Sequence, residues 1–133
     1  MSVLADTTAL IAAQRRGPAT LAQLEELADG ELWICDVVRL EMLRGANNAH
    51  HMAVLRAELD GLPTAPIDTP AWQRAENVYA GFARLKGGRH RGVQLTDVLI
   101  AAAAELRELP VIHVDAHFDL IREVTGQEML RLP

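Results

Sequence analysis

Short apolar runs alternate with stretches of helical periodicity along this chain, and that alternation constrains the fold more than any other feature. Val3-Leu4-Ala5, Leu32-Trp33-Ile34-Cys35 and Val111-Ile112-His113-Val114 read as buried strands. Between them, apolar residues recur at steps of three and four. Leu10 and Ala13 mark a helix over 7–14, and Gly17-Pro18 opens a second, with Leu21, Leu24 and Leu27 on one face and Asp29-Gly30 closing it. Asp36 reads as the N-cap of a helix running to Arg44, with Gly45 behind it. A helix over 50–60 carries Met52, Leu55 and Leu59, and a Pro-bounded stretch over 63–67 follows.

The clearest helix begins at Thr69-Pro70, with Trp72, Ala75, Val78, Tyr79, Phe82 and Leu85 along one stripe. Those aromatic positions read as core or dimer interface rather than as base-stacking platforms. Past a Gly-rich loop over 86–92, Thr96 is expected to cap a helix over 97–109 that Pro110 ends. A helix over 116–124 and a last strand near 129–132 complete the pattern. Strands alternating with helices imply a short, mostly parallel sheet with helices on both faces. In such sheets ligands sit outside the carboxyl ends of the strands.

Acids fall at that edge. Asp6 directly follows the first strand and Asp115 the strand over 111–114. Asp97 lies in the first turn of a helix that must start at the same edge, and Glu41 stands about one turn into the helix after the second strand. Each acid alone has an ordinary explanation: a helix cap, a dipole partner, a turn residue or a solvated face. Together, four carboxylates from four distant segments converge on one rim. Like charges so placed raise each other's pKa unless a cation neutralises them. A hard divalent ion, Mg²⁺ or Mn²⁺, suits an oxygen-only donor set. Asp36 is set apart, because a direct N-cap role accounts for it.

Composition narrows the classes. The chain has 133 residues, half of them apolar and 23% charged, which fits one globular domain over 1–133. Its longest apolar run covers 98–104, too short to span a membrane, and Asp6 interrupts the start before any signal-peptide core develops. Cys35 is the only cysteine, which excludes an intramolecular disulfide and a Cys-based zinc site and fits a reducing cytoplasm. The net charge of −5 argues against a general nucleic-acid coat.

Four segments in order carry a family resemblance: Asp6-Thr7-Thr8-Ala9-Leu10-Ile11, Leu40-Glu41-Met42-Leu43-Arg44-Gly45, Leu95-Thr96-Asp97-Val98-Leu99-Ile100-Ala101-Ala102 and Val114-Asp115-Ala116-His117-Phe118-Asp119. Over nearly the whole chain the sequence resembles a PIN-domain ribonuclease of the VapC toxin type. The resemblance implies a three-layer α/β/α fold and an endoribonuclease dependent on Mg²⁺ or Mn²⁺. It further implies hydrolysis of tRNA or rRNA with water as nucleophile, a homodimer, and neutralisation by a VapB-type antitoxin. Carried over by position, Asp6, Glu41, Asp97 and Asp115 would be the catalytic and metal-holding acids. Thr7 and Thr96 would be hydroxyls orienting carboxylates or water. Where the family often has an acid two residues after the last aspartate, this chain has His117, expected to contact substrate or support the ligands rather than bind the metal.

Four other readings compete. Receiver domains and haloacid-dehalogenase-like phosphatases need a late lysine on the phosphoryl group, and the only lysine here is Lys86, ahead of Asp97. A metal-free mechanism would pair His113 with His117, which at four residues apart across a strand-to-helix junction should point apart. A catalytically silent PIN-fold module binding RNA or protein is the remaining alternative, and the four retained acids argue against it. RNA contacts are expected from Lys86, Arg89 and Arg91 in the loop and from Arg44 opposite, as phosphate contacts that position the strand.

Overall fold

The computed structural model describes residues 1–85 and 87–133, with the backbone alone at Arg89 and His90. Strand β1 (Val3–Ala5) leads into helices α1 (Thr7–Arg16) and α2 (Pro18–Ala28). Strand β2 (Leu32–Cys35) runs directly into α3 (Asp36–Arg44), followed by α4 (Ala49–Asp60) and β3 (Thr64–Ala65). Helix α5 (Thr69–Ala83) and a 3₁₀ turn (Arg89–Gly92) precede α6 (Leu95–Leu106), β4 (Val111–His113), α7 (His117–Thr125) and β5 (Met129–Arg131).

The strands form one sheet in the order β3-β2-β1-β4-β5, every pairing parallel. From β1 the chain steps outward through β2 to β3, then returns to the other side of β1 with β4 and β5. The β1/β4 boundary is therefore the topological switch point, where connections leave toward opposite faces and open a crevice. Strand alternation splits the core accordingly. Leu4 and Val111 face a core shared with α3, α5, α6 and α7, while Val3, Ala5 and Ile112 pack against Ala9, Ala12 and Ala13 of α1 and Leu24 of α2. Small residues on α1 and the Ala101-Ala102-Ala103-Ala104 run of α6 let both helices lie close to the sheet. Among the described residues no helix is long and apolar enough to cross a membrane.

Several local expectations are corrected. Asp36 is not a cap: Cys35 holds the N-cap position of α3 without a side-chain bond, and Asp36 Oδ2 accepts from the amide of Ile67 at 2.9 Å. That bond ties the start of α3 to the chain just past β3. Thr96 is not a cap either, because α6 begins two residues earlier than expected, at Leu95 behind Gln94. The Pro-bounded stretch over 63–67 contains the edge strand β3, too short to show periodicity. On α5, Ala75, Val78 and Phe82 are buried as expected, but Trp72 is 57% exposed and so is not core. On α2 only Leu24 of the three leucines is buried, since Leu21 is exposed and Leu27 lies between.

Candidate active site

Asp6 follows β1 at the switch point and is almost fully buried, at 1% exposure. Its Oδ1 accepts from the amide of Ala9 at 2.9 Å, so it caps α1. The hydroxyl of Thr8 donates to both carboxylate oxygens, 2.8 Å from each. Burial raises the Asp6 carboxyl to about 6, the hydrogen bonds from Ala9 and Thr8 oppose the rise, and the Asp115 charge adds to it.

Asp97 lies in the first turn of α6, its side chain 13% exposed. Burial again is the main cause lifting its carboxyl to about 6. Asp6 and Asp115 push in the same direction, His117 opposes them, and Glu41 adds a smaller push. The charges of Asp6, Asp115 and Glu41 thus all reach the Asp97 carboxyl. Asp115 follows β4 and is about a third exposed. Glu41, one turn into α3, accepts from the Thr7 hydroxyl at 3.0 Å through its Oε1. Thr7 thus donates to one of the four acids. Thr96 shares a cleft of ≈ 250 Å³ with Val37, Leu40, Glu41 and Arg44, yet makes no side-chain hydrogen bond among the described residues.

His117 opens α7 with its side chain 48% exposed. Its amide donates to Asp115 Oδ1 at 3.0 Å, and its Nδ1 lies 3.4 Å from Asp115 Oδ2 and 3.9 Å from Asp97 Oδ2. His113 is 1% exposed inside β4 with its ring tilted against Phe118 at 5.2 Å, and burial lowers its pKa. A buried neutral imidazole beside a half-exposed one does not make the acid–base pair that a metal-free mechanism needs.

Arg44 is exposed at the end of α3 and lines the cleft beside Glu41. With Leu40 it also lines a groove of ≈ 820 Å³ between α3 and α4 that includes Arg39 and Arg56. Arg91 is exposed in the 3₁₀ turn four residues before α6. Lys86 and the Arg89 side chain lie outside the described residues. Sequence reasoning passed over Thr8, Arg39 and Arg56. Thr8 was legible as a hydroxyl two residues past an acid at a helix start, the spacing of a local side-chain turn. The two arginines had no such signal.

The pattern of the PIN domain matches residues 3–124 of the chain. The chain belongs to the PIN-domain family. Within it, the sequence groups with the VapC ribonucleases. Ribonuclease VapC18 of Mycobacterium tuberculosis is 41% identical over 104 residues, covering 78% of this chain and 76% of that protein. Ribonuclease VapC51 of the same organism is 34% identical over 129 residues, covering 96% and 90%. Among solved structures, VapBC2 from Rickettsia felis, crystallised with a DNA fragment from its promoter, superposes over 100% of both chains with a TM-score of 0.78 at 15% identity. The DNA-bound VapBC of Salmonella typhimurium gives 0.77 at 20% identity, over 100% of this chain and 99% of that one. These two likenesses are of fold, and they agree with the all-parallel α/β architecture.

The donor chemistry of this PIN-domain site fits a hard divalent cation. All four candidate groups are carboxylates, and burial with neighbouring carboxylate charge raises two of them, Asp6 and Asp97. Among the described residues no three His, Cys, Asp or Glu side chains stand close enough to enclose an ion by themselves. Mg²⁺ does not require that: it is ordinarily held by one or two carboxylates, with waters and substrate phosphates completing its octahedron.

Proposed function

We propose that this PIN-domain protein is a divalent-metal-dependent endoribonuclease that acts in the cytoplasm as the toxin of a toxin–antitoxin pair, hydrolysing tRNA or rRNA. The observation that carries the metal-dependent reading is the Asp97 carboxyl, lifted by burial and by the charges of Asp6, Asp115 and Glu41 together. Uncompensated, that arrangement only weakens the fold, so a cation gives it a purpose. Asp6, Asp97, Asp115 and Glu41 would hold Mg²⁺ or Mn²⁺. The bound ion would supply Lewis acidity toward the phosphate and make water a competent nucleophile near neutral pH.

The chain's own residues do the rest. Thr8 and Ala9 N–H hold Asp6, Thr7 holds Glu41, and the backbone N–H of His117 holds Asp115. Arg44, beside Glu41, and Arg91, ahead of Asp97, would anchor phosphates on either side of the scissile bond. The kinship to VapC ribonucleases and the likeness to VapBC complexes support an RNA substrate and a VapB-type partner. Exposed Trp72 and Leu95, which line one groove between α5 and α6, supply apolar surface for the proposed homodimer.

The test is cleavage of purified tRNA and rRNA by the wild type and Asp97→Asn. Activity should disappear in EDTA, return with Mg²⁺ or Mn²⁺, and be absent in the folded variant. Full activity in the chelator would overturn the metal dependence. RNA binding without cleavage under every metal condition would support the silent-module reading instead.

A further inference from the structure

Thr8 lies in the first turn of α1, half-buried, two residues beyond Asp6. Its Oγ1 is 2.8 Å from each oxygen of the Asp6 carboxylate, and the amide of Val114 donates to the same Oγ1 at 3.2 Å. Val114 immediately precedes Asp115 and is 106 positions away in sequence. A hydroxyl has one proton and two lone pairs. With the Val114 N–H engaging a lone pair, the proton is directed at Asp6, where it is shared between Oδ1 and Oδ2. Among the described hydrogen bonds, Thr8 is the side chain that joins the carboxylate after β1 to the backbone leading out of β4. Those are the two strands that flank the switch point.

We infer that Thr8 is a positioning residue, clamping the Asp6 carboxylate to the backbone that carries Asp115 so that the two acids face a shared ligand at a fixed separation. The inference rests on the cation-binding reading of the site. Thr7, its neighbour, serves a different acid, Glu41, so the paired threonines divide the rim between them. A purely structural Thr8 would only stitch α1 to β4. In that case its loss would lower stability and leave ion binding alone.

The experiment compares Thr8→Val, which keeps the shape and removes the hydroxyl, with Thr8→Ala and Thr8→Ser. Metal-free protein is titrated with Mn²⁺ by calorimetry, melted with and without the ion, and assayed for kcat and KM on RNA. Loss of the hydroxyl should weaken Mn²⁺ binding about tenfold and lower kcat with KM little changed, whereas Ser should restore both. The Ala and Ser pair gives the same comparison if Val proves too unstable to purify. Wild-type Mn²⁺ affinity and kcat in both Val and Ala, or a Ser variant no better than Ala, would overturn the role of Thr8 alone. A wild type that binds no Mn²⁺ and cleaves RNA in a chelator would overturn the cation reading, and the Thr8 inference with it.

Discussion

His117 holds Asp115 at two points: its amide donates to Oδ1 at 3.0 Å, and its Nδ1 lies 3.4 Å from Oδ2. The amide contact survives any substitution except proline, so the side chain's role can be separated from the loop's geometry. His117→Ala should leave Mn²⁺ affinity close to wild type while lowering the cleavage rate, as measured by calorimetry and by single-turnover kinetics. A loss of affinity well beyond the roughly 10–100-fold that a hydrogen-bond partner of a ligand costs would make the imidazole itself a metal ligand.

The second prediction concerns metal-free stability. The folded-state carboxyl of Asp6 is raised from 3.8 to about 6, chiefly by burial. Between those values the folded chain keeps a proton that the unfolded chain has released. Stability from this group is therefore greatest below the unfolded pKa, declines as pH rises through the window, and levels off above the folded one. Asp6→Asn retains a side-chain oxygen to cap α1 and removes the ionisation, worth on the order of 3 kcal/mol for a shift of this size. Thermal melts in EDTA should show the variant melting at least about 4 °C above wild type at alkaline pH, with the difference closing in acid. Equal melting temperatures at all pH values would mean that Asp6 is not strained in the apoprotein. Saturating Mg²⁺ should narrow or reverse the difference, because the wild type, with all four acids, gains more from the ion.

The strand-then-acid pattern made much of this legible beforehand. Asp6 and Asp115 could be placed at one edge because each directly follows a β-type run, and a parallel sheet puts those ends together. Glu41 and Asp97 followed from helix direction alone. What sequence could not supply was competition among local partners. Asp36 looks like an N-cap in isolation, yet Ile67, 31 residues on, provides an amide that outcompetes the cap. Strand β3 was hidden because two residues carry no period, and only pairing with Ile34 and Cys35 defines it. Trp72 obeys helical spacing with Ala75 and Phe82 but falls at the edge of the stripe, where exposure depends on which neighbours happen to reach it.

The third prediction follows from the bond between Thr7 and Glu41, which links α1 to α3 across 34 residues. Thr7 is buried and Glu41 only half so, which makes the hydroxyl a fixed donor and the carboxylate the adjustable partner. Thr7→Val should free Glu41 toward solvent and cut cleavage about tenfold, with Thr7→Ser largely restoring it. Double-mutant analysis with Glu41→Gln is the decisive check. If Thr7 acts through Glu41, its loss should add little once Glu41 is already neutral.

The last prediction addresses how a chain of net charge −5 holds RNA. Attraction must be local, and two exposed arginines stand close to the acids in the fold or the chain: Arg44 lines a cleft with Glu41, and Arg91 precedes Asp97 by six residues. Both are exposed, and neither takes part in an ion pair among the described residues. Arg39, in the same groove, is already committed to Asp60 at 2.6 Å and should matter less. If Arg44 and Arg91 contact phosphates, replacing either with Ala should weaken binding of every RNA tested by a similar factor, because phosphate contacts carry no base information. Each loss should also flatten the log–log dependence of affinity on salt by about 0.7 for a single-stranded substrate. Filter binding across a salt series, with the Asp97→Asn protein or in EDTA so that the probe is expected to stay intact, measures both quantities. An unchanged slope in the Arg44→Ala, Arg91→Ala double variant would move the phosphate contacts away from this rim.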